Sequence, residues 1–152
     1  MLSLISKKNI ARLAGQLRKV THFYTGDVDF SIYEQYQSDF NALNIARQQV
    51  ETILKEGKDS KGDINKDEYE KQLETLNERI IELNGRYESD TEAQSQRELK
   101  AELEGLALLE LASDEKFLSP IFKELGIEVE YGTMETAKKI TETIHDFFLR
   151  MK

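Results

Sequence analysis

Tyr69, Leu73, Leu76, Ile80, Leu83 and Tyr87 recur at steps of 4, 3, 4, 3 and 4. Alternating steps of three and four keep apolar side chains on one side of a helix, in a seam that stays wet unless a second helix lies along it. The positions between are mostly Glu, Lys, Gln, Asn and Arg. A chain with such a stripe must supply a long helical partner, and one lies a short loop upstream. Tyr33, Tyr36, Phe40 and Leu43 follow at 3, 4, 3, and the row continues through Ala46, Val50 and Ile53 or Leu54. Residues 57–64 between the two stripes are polar. Two long amphipathic helices joined by a short polar loop predict an antiparallel hairpin over residues 31–87. Ile81 falls one position past Ile80 and off the seam. It marks a second apolar face on the third helix, where another helix of the chain or a partner chain should dock.

Local signals place the remaining boundaries. A basic amphipathic helix runs from Ser6 to about Phe23, with Ile10, Leu13, Ala14, Leu17 and Val20 or Thr21 on its apolar face. Gly15 weakens it by about 1 kcal/mol relative to Ala. A turn follows at Gly26-Asp27. Ser31 with Glu34, and Asn65 with Glu68, read as capping boxes that open the second and third helices. Gly57 stops the second helix, and the third ends near Gly85 or runs through Tyr87. Asp90 or Thr91 caps a fourth helix that reaches about Ala112, with a polar, exposed start and a central end at Leu106–Ala112. Ser119-Pro120 reads as the start of a short helix that Gly126 ends. Ile127-Glu-Val-Glu-Tyr131 alternates like a strand, but without a convincing partner it is a lone extended connector. Thr133 caps the last helix, whose stripe is Ala137, Ile140, Ile144, Phe147 and Met151. The expected fold is all-α. It is a helical bundle built on a long antiparallel two-helix hairpin, with a short helix and an extended connector before the last helix. The expectation is one domain over residues 1–152, with residues 91–152 as covering helices beside residues 1–26 and the hairpin.

Composition narrows the chemistry. The 152 residues are 39% hydrophobic and 33% charged, with one proline and no cysteine. Without cysteine there are no disulfides, thiolate nucleophiles or Cys-ligated metal centres. No apolar run approaches the roughly 18–20 residues of a membrane-spanning helix. Met1–Ile5 is too short for the apolar core of a secretory signal, although a basic, acid-free start also suits a mitochondrial presequence. The expected location is the cytoplasm. The net charge of −8 is uneven. Lys7, Lys8, Arg12, Arg18 and Lys19 precede the first acid, Asp27, so a +5 segment leads into an acidic body. An acidic body repels phosphate backbones and disfavours nucleic acid anywhere except residues 1–26.

No motif specifies a reaction. The loop before Glu68 can be set in an EF-hand register, but Gly57 then takes the first ligand position and Lys61 the fifth. Helix capping accounts for Asn65 and Glu68 without calcium. Glu142 and His145 form a single Glu-x-x-His, whereas carboxylate-bridged di-iron bundles need two such pairs. There is no Gly-x-Ser-x-Gly and no phosphate-cradling glycine loop, since the glycines are scattered singly. Ile10-Ala11-Arg12-Leu13-Ala14-Gly15 resembles the first helix and turn glycine of bacterial repressor reading heads. The resemblance covers about six residues, and Gln16 and Leu17 stand where small turn residues are usual. It implies a DNA-binding role for the basic helix.

The leading expectation is a non-enzymatic protein-interaction module acting through helical surfaces: an adaptor, small chaperone, inhibitor or assembly subunit. No catalytic, cofactor or metal residues are assigned. The partner would be another protein, a basic one by charge, and the seam also allows a homodimer. The interaction surface draws on Arg12, Arg18, Lys19, Phe23, Tyr24, Tyr33, Tyr36 and Ile81. The alternative is a nucleic-acid-binding regulator that uses the basic first helix and dimerises through the hairpin.

Overall fold

The computed structural model describes residues 3–150. Among them are six helices: α1 (Leu4–Thr25), α2 (Ser31–Glu56), α3 (Lys66–Ser89), α4 (Thr91–Ala112), α5 (Glu115–Leu125) and α6 (Met134–Arg150). The only strands among the described residues are two-residue pieces, β1 (Lys58–Asp59) and β2 (Gly62–Asp63). The protein is all-α, and no described helix is long and apolar enough to cross a membrane. Met151, expected to end the last stripe, lies outside the described residues. The fold divides into two compact units. One holds Asp29–Glu98; the other holds the chain up to Val28 and from Leu99 onward.

The Asp29–Glu98 unit is the hairpin. α2 and α3 pack along their lengths, antiparallel, as the stripes require. Every stripe residue of α3 is half-buried or buried, Leu83 most deeply. Val50 is its buried counterpart on α2. At the open end Tyr87 sits among Tyr33, Tyr36 and Phe40, with ring centroids 6.4, 5.2 and 5.8 Å away. At the other end residues 57–64 form more than a loop. β1 and β2 pair antiparallel, with Lys58 opposite Asp63 and Asp59 opposite Gly62. The Asp59 carboxylate accepts from the Lys61 amide and the Tyr69 phenol, both at 2.8 Å. Those bonds hold its pKa below the usual Asp range, the amide more than the phenol.

Two helix starts differ in detail from the capping-box expectation. Ser31 is the first helical residue of α2 and does not cap it; its amide donates to Asp29 Oδ1 at 2.9 Å. The upstream carboxylate is a charged acceptor for the first helical amide. The Tyr33 and Glu34 amides that a Ser31 cap would serve donate instead to Gln96 Oε1 and to the Phe30 carbonyl. Asn65 does precede α3, but its side chain makes no capping bond. Gly57 ends α2 in the left-handed region at φ 71°, and α3 runs to Ser89, beyond both expected ends. Asp90 caps α4 as expected, its Oδ1 accepting from the Ala93 amide at 3.1 Å.

The other unit contains a packed core. Leu13, Leu111, Ala112, Leu118, Ile121, Phe122, Ala137 and Ile140 form one buried cluster, and α1 packs on both α5 and α6. The expected apolar face of α1 is correct at its centre: Ile10 and Leu13 are buried. Ile127, Val129 and Tyr131 pack against the core from a segment without regular structure, so the alternation marks a lone connector. Thr133 Oγ1 caps α6 and accepts from the Thr136 amide at 3.3 Å.

The start of α5 is a correction. The helix begins at Glu115, with Asp114 as its cap accepting from the Phe117 amide, and Pro120 lies inside it. Ser119-Pro120 suggested a start because proline tolerates the first turn. Phe117, Leu118, Ile121, Phe122 and Leu125 all bury part or all of their surface, and their spacing needs a helix from Glu115 onward. Burying that stripe outweighs the one backbone bond that proline removes. Gly126 then ends α5 at φ 71°, and the Ile127 amide donates to the Phe122 carbonyl at 2.9 Å.

Candidate functional site

The residues singled out in the sequence fall into different settings. Arg12 lies over the Phe117 ring, 5.8 Å from its centroid, so its cation is spent within its own unit. Arg18 and Lys19 are exposed on α1. Phe23 is 81% exposed and meets Tyr24 edge-on, with centroids 5.7 Å apart. The Tyr24 phenol faces Glu110 Oε1 at 3.4 Å. Burial, then the Glu110 charge, raises its pKa above the usual value.

Tyr33 and Tyr36 belong to the aromatic group at the open end of the hairpin. The Tyr33 amide donates to Gln96 Oε1 at 3.0 Å. The Tyr36 phenol donates to Asp90 Oδ2 at 2.9 Å. Asp90 therefore caps α4 with one oxygen and clasps α2 with the other. Its pKa is lowered, first by the Ala93 amide and then by the phenol. The Tyr36 phenol is correspondingly pushed up. Of the aromatic residues expected on the interaction surface, Phe23 and Tyr24 thus fall in one unit and Tyr33 and Tyr36 in the other. Tyr87, at the far end of the α3 stripe, is the residue that gathers Tyr33, Tyr36 and Phe40.

Ile81 is 73% exposed on the outer side of α3. Glu74, Glu78 and Glu88 share that side at helical spacing and are also exposed. Glu142 forms long ion pairs with Lys138 and Lys139, at 4.0 and 3.9 Å. Among the described residues no group of three or more His, Asp or Glu could hold a metal ion.

One surface feature was not read from the sequence. A groove of about 530 Å³ lies in the core-bearing unit, along the second half of α1 between α4 and α6. Ala14, Leu17, Ile144 and Phe148 give it apolar walls, and Arg18 and His22 stand at its edge. Ala14 and Leu17 belong to the apolar face expected of α1. Phe148 is one residue past the α6 stripe and 49% exposed. No family model matches the chain, and neither curated proteins nor solved structures returned a match to it.

Proposed function

We propose that this chain is a non-enzymatic protein-interaction module: an adaptor, small chaperone, inhibitor or assembly subunit that works through its helix surfaces. The observation that carries the reading is the outward placement of large apolar side chains. Phe23 and Ile81 belong to different units, each with most of its area in water. Single exposed apolar residues are ordinary on protein surfaces. Here, however, Phe23 stands beside Tyr24, a residue type enriched in binding hot spots, and Ile81 is a lone aliphatic side chain in a glutamate-rich helix face. The charge supports a basic partner for the hairpin, where 17 acidic residues face 9 basic ones.

Affinity capture with cross-linking from the native cell tests this reading, using wild type beside Phe23→Asp and Ile81→Asp. The expected result is one recurrent protein partner, reduced about tenfold by at least one substitution. Recovery of the same proteins by all three baits at equal yield would defeat the reading.

The second reading, a nucleic-acid contact through α1, is supported by the exposure of Lys7, Lys8, Arg18 and Lys19 along that helix. It calls for low-salt binding to DNA or RNA fragments that weakens when Arg18 and Lys19 become Ala. No binding at low salt sinks it.

A further inference from the structure

The acidic balance of the whole chain resides in one unit. Residues 29–98 hold 17 Asp plus Glu against 9 Lys plus Arg, whereas the remaining residues hold 12 of each. Within that second set, α1 carries only cations before Asp27. The two units therefore present opposite chemistry: an acidic helix face with one apolar side chain, and an apolar groove edged by a basic helix.

The match is specific in residues. On α3, Glu74, Glu78, Ile81, Gly85 and Glu88 succeed one another at steps of 4, 3, 4 and 3, which lines them along one face. Ile81 is at its centre, and Gly85, also exposed, lets another backbone come near. The face from Glu74 to Glu88 is roughly 21 Å long at 1.5 Å per residue. The groove runs along α1 from Ala14 to Thr25, roughly 16 Å by the same rise. Its apolar walls fit an aliphatic side chain, and Arg18 and His22 at its edge fit flanking carboxylates. From α4, Lys100 and Glu104 contribute one charge of each sign, leaving the edge basic.

We propose that the groove takes the outer face of α3 from a second copy of this chain, with Ile81 inserted between Leu17 and Phe148 and the flanking glutamates toward Arg18. This rests on the interaction-module reading and names one of its partners. The contact is heterologous, joining different patches on the two copies, so it propagates head to tail or closes by reciprocal exchange. Apolar burial at Ile81 supplies attraction, and the charge pairs set which face enters.

Sedimentation velocity of the full chain, from micromolar to near-millimolar concentration at low salt, tests the proposal. The expected result is concentration-dependent association that Ile81→Glu abolishes. Arg18→Glu and Glu78→Arg should each weaken it about tenfold, and the double variant should restore it to within about threefold of wild type. All three positions are exposed, so the variants should keep the fold, which far-UV circular dichroism checks. A wild type that stays monomeric throughout would overturn the proposal, including the case in which an acidic helical peptide fills the groove of that monomer. So would association that ignores these substitutions, or a double variant no better than the singles. Monomeric behaviour leaves the capture experiment with Phe23→Asp to decide the broader reading on its own.

Discussion

Phe122 and Val50 are both apolar side chains packed between helices, yet their surroundings differ in kind. Phe122 is fully enclosed in a cluster fed by α1, α4, α5 and α6, with Tyr131 stacked 6.2 Å from its ring. Val50 belongs to a single seam, with one helix on the other side and water along both flanks. The hairpin has a stripe where the other unit has an interior. A stripe removes less apolar area from water per residue, so more of its stability must come from hydrogen bonds and charges at its two ends. The same difference separates their electrostatics, because the unit with the thinner core carries the net negative charge.

The sharpest way to break this contrast is truncation. Phe122→Ala should cost about 3–5 kcal/mol and Leu83→Ala about 2 kcal/mol. Denaturant melts followed by amide hydrogen exchange, resolved by segment, would report the loss unit by unit. Equal costs, or a larger one at Leu83, would mean that the seam is as well packed as the cluster.

Acid is the next lever. Asp29, Asp59 and Asp90 all lie in the hairpin unit, and all three have pKa values below the ordinary range. The leading cause is the Ser31 side chain for Asp29, the Lys61 amide for Asp59 and the Ala93 amide for Asp90. A depressed folded-state pKa means stability that is fully present above the unfolded value of about 3.9 and is lost as pH falls through the folded value. On acidification below about pH 4, protection should therefore fall in residues 29–98 before it falls around Phe122. Uniform loss across both units would remove the distinction.

A smaller effect should come from Arg47. It lies among the stripe residues of α2, its Nε is buried without a hydrogen-bond partner, and the Glu51 carboxylate is 3.8 Å away. Arg47→Leu should stabilise the hairpin by about 1 kcal/mol, read as a raised denaturant midpoint, since an unsatisfied buried donor is exchanged for apolar contact. No gain, or a loss, would show that the guanidinium already stabilises the seam. The slightest change expected is with salt. Raising ionic strength should modestly stabilise the self-repelling hairpin and leave the evenly charged unit nearly unmoved, as read by segment-resolved exchange.

Much of this architecture was legible because long-range packing leaves a periodic trace. The six residues from Tyr69 to Tyr87 describe a face that no isolated helix would need, and each is at least half-buried. Gly57 and Gly126 marked helix ends through their left-handed backbones. Ile127, Val129 and Tyr131 showed a one-sided connector. The misreadings arise where a local signal competes with a tertiary one. Ser119-Pro120 is a strong start signal taken alone, but the stripe from Phe117 to Leu125 decided the boundary. Ser31 lost its capping place because the amides it would have served are taken: that of Tyr33 by Gln96 Oε1, and that of Glu34 by the Phe30 carbonyl. The groove was invisible for another reason. Its apolar walls come from α1 and α6, more than a hundred residues apart in sequence, and nothing in either helix alone says that Leu17 and Phe148 line one groove. The interaction residues carry even less of a trace, since an exposed Phe23 and a buried one have the same neighbours in sequence.

The hydroxyl clasp between Tyr36 and Asp90 has a mechanical consequence. The hairpin's two free ends, Ser31 and Ser89, lie at the same end of the α2–α3 pair, so tension across them peels the helices apart rung by rung instead of shearing the whole seam at once. The first rung is the Tyr87 aromatic group with its Tyr36–Asp90 bond. Peeling loads one rung at a time and therefore yields at low force, and the clasp sets the threshold for the first step. Single-molecule pulling through residues 31 and 89 should show stepwise low-force unzipping, with Tyr36→Phe lowering only the opening step. A partner that tugs on this unit would meet a latch at its mouth and a zipper behind it.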